Sequence, residues 1–416
     1  MIKKTLSIFT LLALFSGFVF AGGFQINEHS ARVMAMGGAF TGLANDASAA
    51  YYNPAGITQL SGWQVSLGTT IIKPFASFRG VYPATTEYDL QKQTFTPINV
   101  YVVGKLTENL SLGLSVNNPF GLGTRWDDDW VGRYLAVNTD LKTFYYGLNL
   151  AYKINDMFSV AAGISYAMAN VTIMKYVPIP DPISGDFKLT LKGDDSAIAY
   201  DLALFFKPSD ALSFGISYRS STPFEFKGTA TSEQYPQQLE GQLPSGDISA
   251  SFTAPMNISA GLAWHANNQF VVTADYQYVG WSSYDKMEVV FNDGRKSTAI
   301  RDYQNSWIAR IGGEYSLNNS VNGAIRAGFL YDKNPVKDEY VEPSLPDANR
   351  MGFNVGIGWN CMFAPNLRID LAYMYLRFDE RTISNSKVSY TSGNSPFNGT
   401  YNSYAHLFAV NFSYKF

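Results

Sequence analysis

The last nine residues of the chain alternate strictly between apolar and small or polar side chains. The two faces are formed by Phe408, Val410, Phe412, Tyr414 and Phe416 on one side and by Ala409, Asn411, Ser413 and Lys415 on the other. Alternation with period two is typical of a β-strand whose two faces meet different surroundings. The same pattern recurs upstream, for example over residues 110–116, 146–153, 198–207 and 212–219. The chain is therefore expected to be built mainly from strands.

Composition indicates that one face of these strands meets lipid. Charged residues make up 16% of the chain and aromatic residues 15%, whereas soluble domains average about 25% charged residues. Beyond the N-terminal segment no apolar run reaches the roughly 20 residues that a membrane helix needs. Only helices and closed barrels satisfy every backbone polar group inside a bilayer. The sequence therefore predicts an all-β membrane protein, a transmembrane β-barrel.

The connections between strands predict the strand number. Six short turns rich in Asn, Asp and Pro are predicted at residues 107–109, 155–156, 209–210, 267–268, 318–319 and 364–366. They alternate with seven longer polar stretches, such as residues 118–140 and 174–194, as extracellular loops alternate with periplasmic turns in outer-membrane barrels. We expect a 14-stranded antiparallel barrel over residues 63–416. A soluble β-sandwich would also alternate, but would not keep this rhythm over most of the chain.

The N-terminal part differs from the rest. Lys3 and Lys4, an apolar run and then Ala21 predict a secretory signal peptide over residues 1–21 that is cleaved before Gly22. Residues 22–62 are rich in Ala and Gly and alternate weakly. Within them, Asn53-Pro54-Ala55 places a capping side chain before a proline at the first helical position. We expect residues 22–62, here called the hatch, to form a small helical plug inside the lumen, which is wide in a barrel of this size.

Several function classes are disfavoured. Lys and Arg total 31 against 34 Asp and Glu, so the charge gives no electrostatic footprint for nucleic acid. The three histidines lack metal-ligand spacing, and the single Cys361 permits no internal disulfide. Gly-x-Ser groups lie inside strands rather than at a nucleophile elbow. We expect no metal, no cofactor and no enzymatic activity.

Motifs spread along the whole mature chain carry a family resemblance. The matching stretches are Gly23-Phe24-Gln25-Ile26-Asn27-Glu28, Asn45-Asp46-Ala47, Tyr52-Asn53-Pro54-Ala55-Gly56, Asn118-Pro119-Phe120-Gly121-Leu122, Ala274-Asp275-Tyr276 with Trp281, Arg326-Ala327-Gly328 with Tyr331-Asp332 and Pro335, and Pro346-Asp347. In this order and spacing they resemble the FadL family of outer-membrane transporters of long-chain fatty acids and, in some members, of aromatic hydrocarbons such as toluene. The last strand also resembles the signal that outer-membrane assembly machinery recognises.

The resemblance implies a mechanism. Ligand is caught between extracellular loops, passes to a pocket beside the N-terminus and leaves sideways through a kink in the third strand. From the residues alone, Pro119 either begins a loop or breaks a spanning strand, because proline cannot donate to the ladder. The resemblance favours the second reading, with Asn118, Pro119, Phe120 and Gly121 as a lateral gate. It also assigns Asn53, Pro54 and Ala55 to holding the hatch shut.

Candidate ligand-binding residues come from the same resemblance. Phe24 and Ile26 are candidates for the pocket wall, or else simply pack within the hatch. Lys175 and Arg301 are candidates for binding a carboxylate, because an anion in an apolar site needs a partner, or else are ordinary loop charges. The expected function is passive uptake of fatty acids or similar hydrophobic compounds by a monomer surrounded by lipid and lipopolysaccharide. Aromatic hydrocarbon uptake, an open diffusion porin and a binding platform for secretion machinery are the alternatives.

Overall fold

The computed structural model describes residues 23–179, 181–317, 322–389 and 395–416. Within these ranges fourteen antiparallel strands form the wall of a closed barrel, as the sequence predicts. Their bounds are β1 Trp63–Gly80, β2 Ile98–Lys105, β3 Leu110–Asn117 and Gly121–Arg125, β4 Asn138–Lys153, β5 Phe158–Pro178, β6 Asp186–Phe206, β7 Leu212–Arg219 and Thr222–Glu233, β8 Gly246–Ala254 and Asn257–His265, β9 Phe270–Val279 and Lys286–Phe291, β10 Lys296–Ile300 and Ser306–Ser316, β11 Ala324–Asp332, β12 Arg350–Cys361, β13 Ala364–Phe378 and β14 Gly399–Lys415. Two short strands, Glu87–Asp89 and Arg381–Ile383, pair with the extracellular ends of β1 and β14.

The barrel closes where the first strand meets the last. Strands β1 and β14 pair in continuous register from Gln64 opposite Lys415 to Gly80 opposite Gly399. Closure removes the unpaired edges that an open sheet would present to lipid.

Burial alternates along the wall as the sequence predicts. On β4 the side chains of Tyr146, Leu148 and Leu150 are 44–48% exposed, whereas those of the alternate residues Tyr145 and Asn149 are buried. The apolar side chains therefore point outward and the smaller or polar ones point into the bore, the arrangement of a barrel surrounded by lipid.

The hatch fills the bore with short helices. Helices α1 (Ala31–Ala35) and α2 (Ala49–Tyr52) are followed by a 3-10 helix, Pro54–Gln59. Asn53 caps the 3-10 helix, because its Oδ1 accepts the N–H of Ala55 at 3.1 Å and Pro54 occupies the first helical position. Residues 23–30, here called the arm, run extended ahead of α1. No helix in the part of the chain that the structure describes is long and apolar enough to cross a membrane.

Two predicted connections are wrong. Strand β13 begins at Ala364, so the turn is Met362–Phe363 rather than residues 364–366, and a register shift at Asn360 and Cys361 accommodates Pro365. Strands β5 and β6 remain paired up to Pro178 and Asp186, well inside the predicted loop over residues 174–194. The predicted signal peptide and the predicted turn at residues 318–319 lie outside the described residues.

Candidate ligand route

The third strand is interrupted at the predicted place. Strand β3 leaves the sheet over Asn118–Phe120, and its second segment, Gly121–Arg125, pairs with β4 alone. The Asn118 side chain bridges the neighbouring strands, since its Oδ1 accepts the N–H of Ile98 at 2.8 Å and its Nδ2 donates to the Thr143 carbonyl at 2.6 Å. Pro119 has no N–H to satisfy. We call this interruption of the wall the gap.

At the gap, β3 forms backbone hydrogen bonds with the arm instead of with β2. The N–H of Ile26 donates to the Pro119 carbonyl at 2.9 Å, and the N–H of Gly121 donates to the Phe24 carbonyl at 3.1 Å. Gln25 and Phe120 face each other as an antiparallel bridge. A Cβ on Gly121 would lie 2.7 Å from Cδ1 of Ile26, so a glycine here permits the close approach. The arm thus lies against the gap like an extra strand.

The start of the arm is fixed by an acid from the loop between β11 and β12. The N–H of Gly23 donates to Oδ2 of Asp347 at 2.8 Å. Burial raises the pKa of Asp347 to about 6, although the neighbouring Arg350 lowers it. Next to Gly23, the Phe24 ring packs edge-on against Trp281, with ring centroids 4.8 Å apart. The arm is therefore held at both its backbone and its first side chain.

A cavity of about 590 Å³, the outer cavity, lies among the extracellular halves of β5 to β10. Its lining is mainly apolar, with Leu189 and Phe226 as examples, but it also contains Lys175, Arg301 and Glu342. Arg301 is buried and forms an ion pair with Glu342. Lys175 forms no ion pair with any residue in the described ranges. The outer cavity therefore combines apolar walls with a half-buried ammonium group.

A second cavity of about 490 Å³, the gap cavity, lies between the arm and the interrupted strand. Both cavities are lined by Phe24, Leu122, Leu141 and Leu345, which therefore form a partition between them. The gap cavity also crosses the wall. Its lining includes the inward-facing Leu141 and Thr143 of β4 and also the outward-facing Asp140, Lys142 and Phe144 of the same strand.

The candidate residues fall into three places. Lys175 and Arg301 both line the outer cavity. The gap cavity is lined by Phe24, Ile26, Asn118, Phe120 and Gly121, and the Pro119 carbonyl bonds to the arm. The Asn53-Pro54-Ala55 motif lines neither cavity.

The Asn53 side chain instead connects the hatch to the wall. Its Nδ2 donates to the carbonyls of Thr41 at 2.9 Å and of Leu204 on β6 at 3.2 Å. Elsewhere the Asp275 carboxylate on β9 accepts the N–H groups of Phe40 and Thr41, at 2.9 and 2.8 Å. The hatch is thus bonded to the wall through residues that line neither cavity.

The sequence alone assigns no role to three residues of the site, Asp347, Glu342 and Leu345. Asp347 belongs to a recognised motif, but its bond to Gly23 depends on a contact across the bore. Glu342 and Leu345 lie in a predicted loop whose sequence carries no pattern that would turn it inward. The N–H of Leu345 donates to the Glu342 carbonyl at 3.0 Å, and Trp126 Nε1 donates to the Pro343 carbonyl at 3.0 Å. This turn is thereby fixed beside the gap.

The fold and the site together define a transmembrane β-barrel that is closed by its own N-terminal segment and contains two apolar cavities. The sequence profile of the family described as "Outer membrane protein transport protein (OMPP1/FadL/TodX)" matches residues 12–416. The chain belongs to this family of outer-membrane transport proteins.

Relatives and solved structures agree with this assignment. The chain is 24% identical to the long-chain fatty acid transport protein of Escherichia coli O6:H1, covering all of both chains. It is 25% identical to outer membrane protein P1 of Haemophilus influenzae, covering 98% of each. Among solved structures, a Pseudomonas aeruginosa FadL homologue superposes with a TM-score of 0.85 at 22% identity, covering 95% of this chain and 100% of the homologue. The toluene transporter TodX of P. putida gives 0.74 at 18% identity, covering 96% and 99%. The protein is therefore placed in the bacterial outer membrane.

Proposed function

We propose that the protein takes up long-chain fatty acids, or hydrophobic molecules of similar shape, by passive diffusion into the outer membrane. The observation that carries this proposal is the gap cavity, which shares a partition with the outer cavity and reaches the lipid-facing side of the wall where β3 is interrupted. A ligand would enter the outer cavity, pass the partition at Phe24 and Leu345, and leave sideways through the gap.

The physical requirement for such a route is shielding of the ligand tail. Each methylene removed from water contributes about 0.8 kcal/mol, so a long chain held in apolar walls avoids a large cost at every step. The unpaired Lys175 ammonium in the outer cavity supports a carboxylate head group, because it lies beside an apolar lining that accommodates a tail. In this reading Phe24 and Ile26 form the pocket wall and Arg301 assists Lys175.

Aromatic hydrocarbons are the second candidate cargo. Several of the solved structures of similar fold are transporters of toluene or other monoaromatic hydrocarbons, and the partition is formed by apolar side chains that would also accept an uncharged ring. A carboxylate preference at Lys175 distinguishes the two candidates, because toluene offers it no partner.

The test is uptake of radiolabelled oleate by cells that lack their own fatty acid transporter. Two variants address the route, namely deletion of residues 23–27 and the double substitution Pro119→Val with Gly121→Val. Valine restores a strand donor at position 119 and fills the space against Ile26 at position 121. We expect both variants to insert as folded barrels. The double variant should lose uptake because its gap is closed, whereas the deletion should keep uptake because no arm covers the gap. Unchanged uptake in the double variant would contradict the lateral route.

A further inference from the structure

A charged pair lies on the outward face of the wall beside the gap. The Nζ of Lys142 is 2.7 Å from Oδ2 of Asp140, and the two side chains are 62% and 33% exposed. The same face of β4 continues toward the periplasm as Phe144, Tyr146 and Leu148, which are apolar or aromatic. The charged pair therefore lies at the extracellular edge of an otherwise apolar, lipid-facing strip of β4.

The position of Lys142 relative to the gap is specific. Lys142 is opposite Gly121 in the register of β3 and β4, and it lines the gap cavity. The outward-facing Phe75 and Tyr404 line the same cavity and stack on each other, with ring centroids 4.7 Å apart. Aromatic residues of this kind mark the level of the lipid head groups on barrel walls. Lys142 therefore lies at the outer mouth of the gap cavity, near head-group level.

This arrangement suits one class of cargo. The lysine ammonium is a compact charge on a flexible stem, which can reach toward the head-group region while its stem stays against apolar surface. A carboxylate held there leaves the attached chain free to lie along Phe144, Tyr146 and Leu148, toward the membrane core. An uncharged chain gains nothing from the ammonium.

We propose that Lys142 forms an exit site, which receives the carboxylate of a single-chain fatty acid as the fatty acid leaves the gap cavity. The ligand carboxylate there replaces Asp140 as the ion-pair partner of Lys142. The proposal rests on the proposed function and adds a second head-group position, on the lipid side of the wall, to the one at Lys175.

The experiment compares two probes that differ only in charge, radiolabelled oleate and oleyl alcohol. In cells that lack their own fatty acid transporter, Lys142→Gln should lower the initial rate of oleate uptake about fivefold, as expected for loss of one partly exposed ion pair. Uptake of oleyl alcohol should not change, and Lys142→Arg should restore oleate uptake. Lys73→Gln is the matched control, because Lys73 also points outward from the wall, on β1, but lines neither cavity.

Each other outcome has a defined meaning. If Lys142→Gln slows both probes equally, Lys142 supports the wall or holds a membrane phosphate, and the exit site is refuted. Unchanged uptake of both probes refutes it as well. Absence of oleate uptake by the wild-type protein would refute the proposed function itself. Folding of each variant is checked by its heat-modifiable electrophoretic mobility.

Discussion

The backbone N–H of Gly23 donates to the Asp347 carboxylate at 2.8 Å and joins two points 324 residues apart in the chain. Asp347 is buried in the loop between β11 and β12, and Gly23 begins the arm that covers the gap. The bond therefore connects the segment that lies against the gap to a loop of the extracellular side. If this arm must move for ligand to leave, the bond sets part of the energy required.

Removing the acceptor should loosen the arm without unfolding the barrel. In Asp347→Ala the Gly23 N–H is left buried without a partner, which costs about 1–3 kcal/mol. Backbone hydrogen exchange at Ile26, whose N–H donates to the Pro119 carbonyl, should then be roughly tenfold faster or more, and exchange in β14 should not change. The control is Asp210→Asn, in a turn at the opposite end of the barrel. Equal exchange of the arm in wild type and variant would exclude a latching role for Asp347.

In the proposed function, Glu342 would compete with a ligand carboxylate for Arg301. The two side chains form a buried ion pair within the lining of the outer cavity. Glu342→Gln removes the competing charge but keeps the side-chain shape, so oleate should bind about tenfold more tightly. Oleyl alcohol should bind with unchanged affinity. Titration of the purified protein in a neutral detergent measures both affinities, with Glu288→Gln as an acid-to-amide control at a residue that lines neither cavity. Weaker oleate binding in Glu342→Gln would contradict this reading of Arg301.

The barrel should conduct ions when the hydrogen bonds between the hatch and β9 are lost. Asp275→Ala removes the carboxylate and leaves the N–H groups of Phe40 and Thr41 without their acceptor, at about 1–3 kcal/mol each. We expect flickering ion conductance in planar bilayers, where the wild-type protein should conduct little. Asp293→Asn, in the extracellular hairpin between β9 and β10, serves as the control. If the variant conducts no more ions than the wild-type protein, other contacts are sufficient to hold the hatch in place.

The Thr143 hydroxyl stabilises the strand break itself. It accepts the N–H of Phe120 at 3.1 Å and donates to the Phe120 carbonyl at 2.7 Å. Thr143→Val should therefore lower barrel stability by about 1–3 kcal/mol, measured as the temperature at which heat-modifiable mobility is lost. Thr139→Val is a close control on the same face of β4, since the Thr139 hydroxyl has no partner among the described residues. Equal losses in both variants would mean that the two bonds contribute nothing specific.

The wall could be predicted from sequence because its determinants are local. The alternation around Phe408 and Phe412 reports directly which face meets lipid, and Pro119 marks a place where the ladder cannot continue. The turn at Met362–Phe363 was misplaced, because Ala364-Pro365-Asn366 has ordinary turn chemistry and only the pairing with β12 carries Pro365 into a strand.

The cavities depended on contacts that no local pattern encodes. Lys175 and Arg301 were named from a family resemblance, and both line the outer cavity. The pairing of Arg301 with Glu342 and of Gly23 with Asp347 arises only when a long extracellular loop folds back toward the arm. Such loop positions are set by the sum of many tertiary contacts, so the sequence indicates the residue types but not the partners.

In the proposed route, the arm must leave the gap before ligand can pass into the membrane. Gln25 and Phe120 are bridge partners of an antiparallel pair, so cysteines at both positions would be close enough for a disulfide. In a Cys361→Ser background, Gln25→Cys with Phe120→Cys should therefore lock the arm onto β3 when oxidised. Oleate uptake should then stop on oxidation and return when a reductant breaks the bond. Equal uptake in the oxidised and reduced states would contradict this route.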